Sequence, residues 1–338
     1  MAKRIVICCD GTWNTLRQPA TTNVVKLAQA IAKQDDQLVF YHEGVGTRPH
    51  ERLLGGAFGF GLSRNVRSAY RFLAEHYEPG DELFFFGFSR GAYTARSTVG
   101  FVRNCGILRR DELDRVDEAY QLYRDRDPST HPTQSRSARF REAYACEDVT
   151  PVRFIGVWDT VGALGIPLSG LRLINLINRR WQFHDTKLTS TVAAAFQALA
   201  IDERRGPFRP AVWAPDAAVH QEREQVWFAG CHSDVGGGYP EPTLAHITLL
   251  WMVERAQRAG LVFEPHAVAP LGPDAALAPA HDSRTFFYKL LRPYVRQLGV
   301  TDEAHEFASF KAVERTKLDP SYAPQNLLDY LRDRPQYR

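Results

Sequence analysis

Asp81-Glu82-Leu83-Phe84-Phe85-Phe86-Gly87-Phe88-Ser89-Arg90-Gly91-Ala92-Tyr93 is the stretch that decides the fold. Leu83 to Phe86 is a short apolar run introduced by the turn residues Pro79-Gly80-Asp81. A run this short and this apolar suits a strand buried on both faces. It leads into Gly-x-Ser-x-Gly and then into Ala92-Tyr93-Thr94-Ala95-Arg96, a helix-forming sequence. Strand, sharp turn and helix is the setting of a nucleophile elbow, in which the turn lifts a serine hydroxyl off the strand end. Gly87 and Gly91 fit that reading, because a side chain at either position would collide across so tight a turn.

Outward from this segment, four more apolar runs end in small or polar clusters. They are Arg4–Cys9 before Asp10, Leu38–Tyr41 before His42, Val152–Trp158 before Asp159, and Gln225–Ala229 before Gly230. Helix-like stretches lie between and after them: Asn23 to Lys33, Ser63 to Tyr77, Ala92 to Arg103 and Thr243 to Ala259. Alternation of this kind predicts an α/β fold, a doubly wound and mostly parallel sheet flanked by helices. The 338 residues read as one such domain, with its core over about 3–260. Lid-like insertions are expected at about 104–150 and 165–222, with a C-terminal helical extension at about 261–338.

Composition narrows the function. The 42 Lys and Arg against 39 Asp and Glu leave a net charge of +3, and the Arg-rich stretch from 103 to 141 is interleaved with acids. This predicts a solvated surface and no nucleic-acid partner. No apolar run is long enough for an integral membrane segment, so any membrane contact is expected to be peripheral. The N-terminus runs directly into the first strand, and the five cysteines lack ligand-like spacing. Both point to a cytoplasmic chain with reduced thiols and no structural metal.

A serine hydroxyl needs a base to take its proton and an acid to fix the base. On a parallel sheet both belong just past the carboxyl ends of strands. His232 directly follows the Gln225–Ala229 run, and Asp159 directly follows Val152–Trp158. His42 also ends a run, but it precedes Ser89 in the chain. The order Ser89, Asp159, His232 is that of α/β-hydrolases. The amide of Arg90 is the expected first oxyanion donor. The chain has no His-Gly-Gly-Gly loop, so the second donor is assigned to the amide of Gly11 or Thr12, with Asp10 bracing that loop. Asp234, in Ser233-Asp234-Val235-Gly236-Gly237-Gly238, is placed near the substrate, where consecutive glycines allow close backbone approach. Asp202, beside Arg204 and Arg205, is the rival acid and is read as a salt-bridged brace. Ile166–Trp181 is an apolar stripe that suits either an acyl-chain wall or core.

Six segments together resemble one bacterial α/β-hydrolase family. They are Cys8-Cys9-Asp10-Gly11-Thr12-Trp13-Asn14, Tyr41-His42-Glu43-Gly44-Val45-Gly46-Thr47, Gly87 to Tyr93, Val157-Trp158-Asp159-Thr160-Val161-Gly162, Ala198 to Arg204 and Gly230 to Tyr239. That family shares its catalytic module with the first class of type VI secretion phospholipase effectors. The resemblance implies a serine esterase or phospholipase A acting on a lipid or small ester without a cofactor. It places the nucleophile on Ser89, the acid on Asp159 and the base on His232. It also implies export independent of a signal peptide, and a secretion-system or immunity partner.

Two other readings compete. Asp10, Asp159, His232 and Asp234 offer the oxygen and nitrogen ligands of a divalent-metal phosphoesterase, which leaves the serine turn unexplained. A catalytically silent hydrolase-fold binding module keeps the scaffold without turnover.

Overall fold

The computed structural model describes residues 2–11, 20–44, 57–162, 187–215, 220–334 and 336–338. Seven strands form one sheet: β1 (Arg4–Cys9), β2 (Gln37–His42), β3 (Glu82–Phe88), β4 (Val152–Trp158), β5 (Val192–Ala200), β6 (Glu222–Phe228) and β7 (Glu306–Ala308). Their order is β2-β1-β3-β4-β5-β6-β7, and every neighbouring pair is parallel.

Side-chain alternation divides β1 and β3 between two cores, and Leu199, Trp227 and Ala308 enter a third. Phe84, Phe86 and Phe88 of β3 enter one, with Val6 and Cys8 of β1. Helices α1 (Asn23–Ala30) and α7 (Thr243–Arg258) close that side with Val24, Leu27, Leu249, Trp251 and Met252. Leu83 and Phe85 enter the other core, with Ile5 and Ile7. There α2 (Ala57–His76), α3 (Arg90–Cys105) and α4 (Val116–Arg124) supply Tyr70, Leu73, Phe101, Val102 and Leu122. A sheet covered on both faces explains why its strands read as near-continuous apolar runs. Between α4 and β4 lies α5 (Ser135–Tyr144), and the short α6 (His232–Gly236) follows β6. The chain ends with α8 (Phe310–Leu318) and α9 (Gln325–Asp333).

Two strands depart from the sequence expectation. The proposed insertion over 165–222 contains β5, a central strand hydrogen-bonded to β4 on one side and β6 on the other. Its sequence, Val-Ala-Ala-Ala-Phe-Gln-Ala-Leu-Ala, carries no β-branched residue after Val192 and resembles helix by propensity. Burial between two neighbouring strands overrides that preference. The extension expected to be helical over 261–338 likewise supplies β7, whose three residues are too few to show a period. The stripe Ile166–Trp181 lies outside the described residues.

The register sets up the site. Phe88 is paired with Trp158, Trp158 with Ala198, and Ala200 with Phe228. The carboxyl ends of β3, β4, β5 and β6 therefore form one rim, and the segments leaving it bring their first residues together.

Candidate active site

Ser89 sits between β3 and α3 with φ 58° and ψ −121°, a backbone conformation that side chains other than glycine rarely adopt. Its neighbours hold it there. A Cβ on Gly87 would stand 2.6 Å from the Cα of Ala92. One on Gly91 would stand 2.1 Å from the carbonyl oxygen of Cys9, where α3 presses on the end of β1. The amide of Ser89 donates to the carbonyl of Trp158 at 3.0 Å, continuing the ladder one residue past the strand.

Asp159 leaves β4 in the same way. Its amide donates to the carbonyl of Ala198 at 2.7 Å, and its φ is 38°. His232 opens α6 after a turn at Gly230, whose φ of 102° suits glycine and whose amide donates to Asp202 at 2.7 Å.

The three side chains meet. Ser89 Oγ lies 2.8 Å from Nε2 of His232, and Nδ1 of His232 lies 2.5 Å from Oδ2 of Asp159. Asp159 is fully buried, and Ser89 and His232 are each 5% exposed. Burial opposes the charge on Asp159, but the Arg296 guanidinium and the His232 contact hold its carboxyl well below the usual carboxylate range. An ionised carboxylate only accepts hydrogen bonds, so Nδ1 carries the ring proton and Nε2 keeps its lone pair toward Ser89. Burial lowers the His232 imidazole below its ordinary value, against the pull of Asp159. The ring also touches two aromatics, Phe88 with centroids 4.6 Å apart and Phe208 edge-on at 5.0 Å.

Arg90 begins α3, so its amide is one of the first-turn N–H groups at the serine. The sequence pattern of the family described as T6SS, phospholipase effector Tle1-like, catalytic domain, matches residues 3–255. The chain belongs to this family.

In Saccharomyces cerevisiae (strain ATCC 204508 / S288c), uncharacterized protein YEL023C is 28% identical over 235 residues, 63% of this chain and 33% of that protein. Two solved structures are similar at 17% identity. One is an uncharacterized protein from Pseudomonas aeruginosa, with TM-score 0.49 over 84% of this chain and 49% of that one. The other is the Tle1 effector bound to the VgrG spike of the type 6 secretion system, with TM-score 0.44 over 86% and 78%. The chain thus spans a third of the yeast protein's length and about half of the Pseudomonas protein's.

Other residues singled out in the sequence take different places. Asp10 braces its loop: Oδ1 accepts from the amide of Gly11 at 2.6 Å, and Oδ2 accepts from Thr22 and Tyr41, each at 2.8 Å. The Gly11 amide is therefore committed to Asp10, which leaves it poorly placed as a second oxyanion donor; Thr12 lies outside the described residues. Asp234 is likewise taken up within the protein. Its Oδ2 accepts from the amides of Cys231 and His281 at 3.0 Å, and its Oδ1 pairs with Nδ1 of His281 at 2.6 Å. Asp202 is a brace through Gly230 and the Tyr322 hydroxyl, with burial raising its carboxyl above the ordinary value. The arginine-paired carboxylate is its neighbour Glu203, which binds Arg205 at 2.8 and 2.9 Å. Among the described residues no three His, Cys, Asp or Glu side chains gather as a metal-binding group.

Two residues of the site were not foreseen in the sequence. Glu203 is fully buried and accepts from the amide of His232 at 3.3 Å and from Ser283 at 2.9 Å. Arg296 holds both oxygens of Asp159, from Nη1 to Oδ1 at 2.6 Å and from Nη2 to Oδ2 at 3.0 Å. Glu203 carried a faint signal in its neighbouring arginines. Arg296 carried none, since it follows no strand and belongs to no motif.

Proposed function

We propose that this chain is a serine hydrolase that cleaves acyl esters of lipids or phospholipids. The observation that carries the reading is the chain of short contacts from Ser89 Oγ through His232 to Asp159, mounted past the carboxyl ends of β3, β6 and β4 on one rim of the sheet. In this mechanism His232 Nε2 takes the serine proton as Oγ attacks the ester carbonyl, and it then returns that proton to the leaving alcohol. Asp159 fixes the ring tautomer and balances the imidazolium. The Arg90 amide stabilises the tetrahedral oxyanion at the start of α3. Water, deprotonated by the same imidazole, then clears the acyl-enzyme.

The lipid substrate class is drawn from family membership, as is delivery through a type VI secretion system to a target cell. Among the described residues no helix is long and apolar enough to cross a membrane, so lipid is proposed to be reached at a surface. Two of the four ligands of the phosphoesterase reading are drawn away from a metal, because the oxygens of Asp10 and Asp234 accept from separate protein donors.

A fluorophosphonate probe followed by peptide mapping tests the reading. Labelling is expected at Ser89, absent in Ser89→Ala and strongly reduced in His232→Ala, with fatty-acid release from phospholipid by the wild type and not by Ser89→Ala. Labelling that persists in Ser89→Ala would move the nucleophile elsewhere.

A further inference from the structure

Arg296 comes from the segment after residue 255, beyond the part of the chain matched by the family pattern. Its side chain is fully buried. The guanidinium makes four hydrogen bonds: the two to Asp159, one from Nη1 to the carbonyl of Ala200 at 2.9 Å and one from Nη2 to the carbonyl of Phe208 at 2.6 Å. Its backbone is held in turn by Asn326 of α9, whose side-chain Nδ2 donates to the carbonyls of Arg296 at 3.0 Å and Ile201 at 3.1 Å. The fork therefore grips the carboxylate edge-on and ties it to β5, while the C-terminal helix fixes the fork.

Two consequences follow for His232. With both Asp159 oxygens held by the fork, and Oδ1 also accepting from the Ala200 amide at 3.1 Å, the carboxylate cannot rotate away from Nδ1. The guanidinium also neutralises the charge that would otherwise favour an imidazolium. The other charged groups around the ring are Glu203 and Arg205, which pair with each other. On the histidine's own helix, Asp234 is paired with His281.

We propose that Arg296 is a positioning residue, which fixes the Asp159 carboxylate and keeps His232 unprotonated to lower pH, so that the C-terminal segment completes the site. This rests on the serine-hydrolase reading. The sign is set by charge: with the cation gone, the Asp159–His232 pair takes up a proton more easily, and the form with a free Nε2 is lost at higher pH.

The test is kcat/KM for a soluble p-nitrophenyl ester against pH, for wild type, Arg296→Met and Arg296→Lys, with Ser89→Ala as blank and circular dichroism as the folding control. In Arg296→Met the acid limb is expected to move up by about one pH unit. A folded, active Arg296→Met whose limb does not move overturns the proposal. Should that variant fail to fold, Arg296→Lys decides, since it keeps the charge and loses the fork. A fall in kcat/KM of about tenfold with a near-native thermal midpoint supports the proposal, and an unchanged kcat/KM overturns it. Wild type that neither labels at Ser89 nor turns over the ester sinks the serine-hydrolase reading instead, an outcome separate from any change at Arg296.

Discussion

Replacing Ser89 by glycine should leave a more stable protein than replacing it by alanine. Both variants lose the hydroxyl and its contact with His232, so the difference between them isolates the Cβ. At most positions glycine is the worse choice by about 0.5–1 kcal/mol, because it frees the unfolded chain. Here φ is 58° and ψ −121°, and a Cβ held in such a conformation costs of order 1–3 kcal/mol. Setting the second effect against the first leaves glycine ahead by about 1 kcal/mol. For 338 residues the unfolding entropy near the midpoint is about 0.7 kcal/mol/K, so the gap in Tm is only about 1–2 °C. Urea unfolding followed by the fluorescence of the six tryptophans resolves such a difference better than a thermal scan. An alanine variant as stable as the glycine variant, with equal m-values, would refute the claim that the turn holds Ser89 against its own preference.

Two further outcomes follow from the same geometry. Asp159→Asn should reduce kcat/KM on esters by about 10³–10⁴-fold with KM little changed, because an amide no longer enforces the tautomer that leaves Nε2 free; steady-state kinetics on protein of native circular dichroism checks this, and a loss under tenfold counts against the assignment. The acid limb of kcat/KM should have its midpoint below 6.5, since burial lowers the imidazole and only its neutral form accepts the serine proton; a midpoint above 7 would mean that the carboxylate outweighs burial.

The parts of the molecule legible in the sequence were those where one local pattern suffices. The Leu83–Phe88 run and the glycines at 87 and 91 specify a strand and a turn without reference to anything distant. The same holds for Val152–Trp158 ending in Asp159. β5 was hidden because its alanines are selected by the space between β4, β6 and the Trp251 face of α7, where the Phe196 and Trp251 rings lie 6.0 Å apart. That constraint is invisible to propensity. The loop roles were legible only in part: Asp10 lies at the rim as a brace, yet whether its oxygens face a substrate or the Gly11 amide depends on a turn one residue long. Arg296 lies 137 residues from the carboxylate it holds, and nothing near it in the chain announces a partner at that separation.

The rungs from the Ser89 amide to Trp158 and from the Asp159 amide to Ala198 mount two of the proposed catalytic residues on one rail of the sheet. A rail of this kind can be bent only by breaking the sheet, so these groups keep their spacing whatever the surrounding segments do. On the proposed esterase reading, retooling for a different ester would leave the strand ends untouched and vary the segments beside them, beginning with Phe208, whose ring meets that of His232. On that reading the chemistry is inherited with the sheet, while the choice of what to cut is carried by replaceable parts.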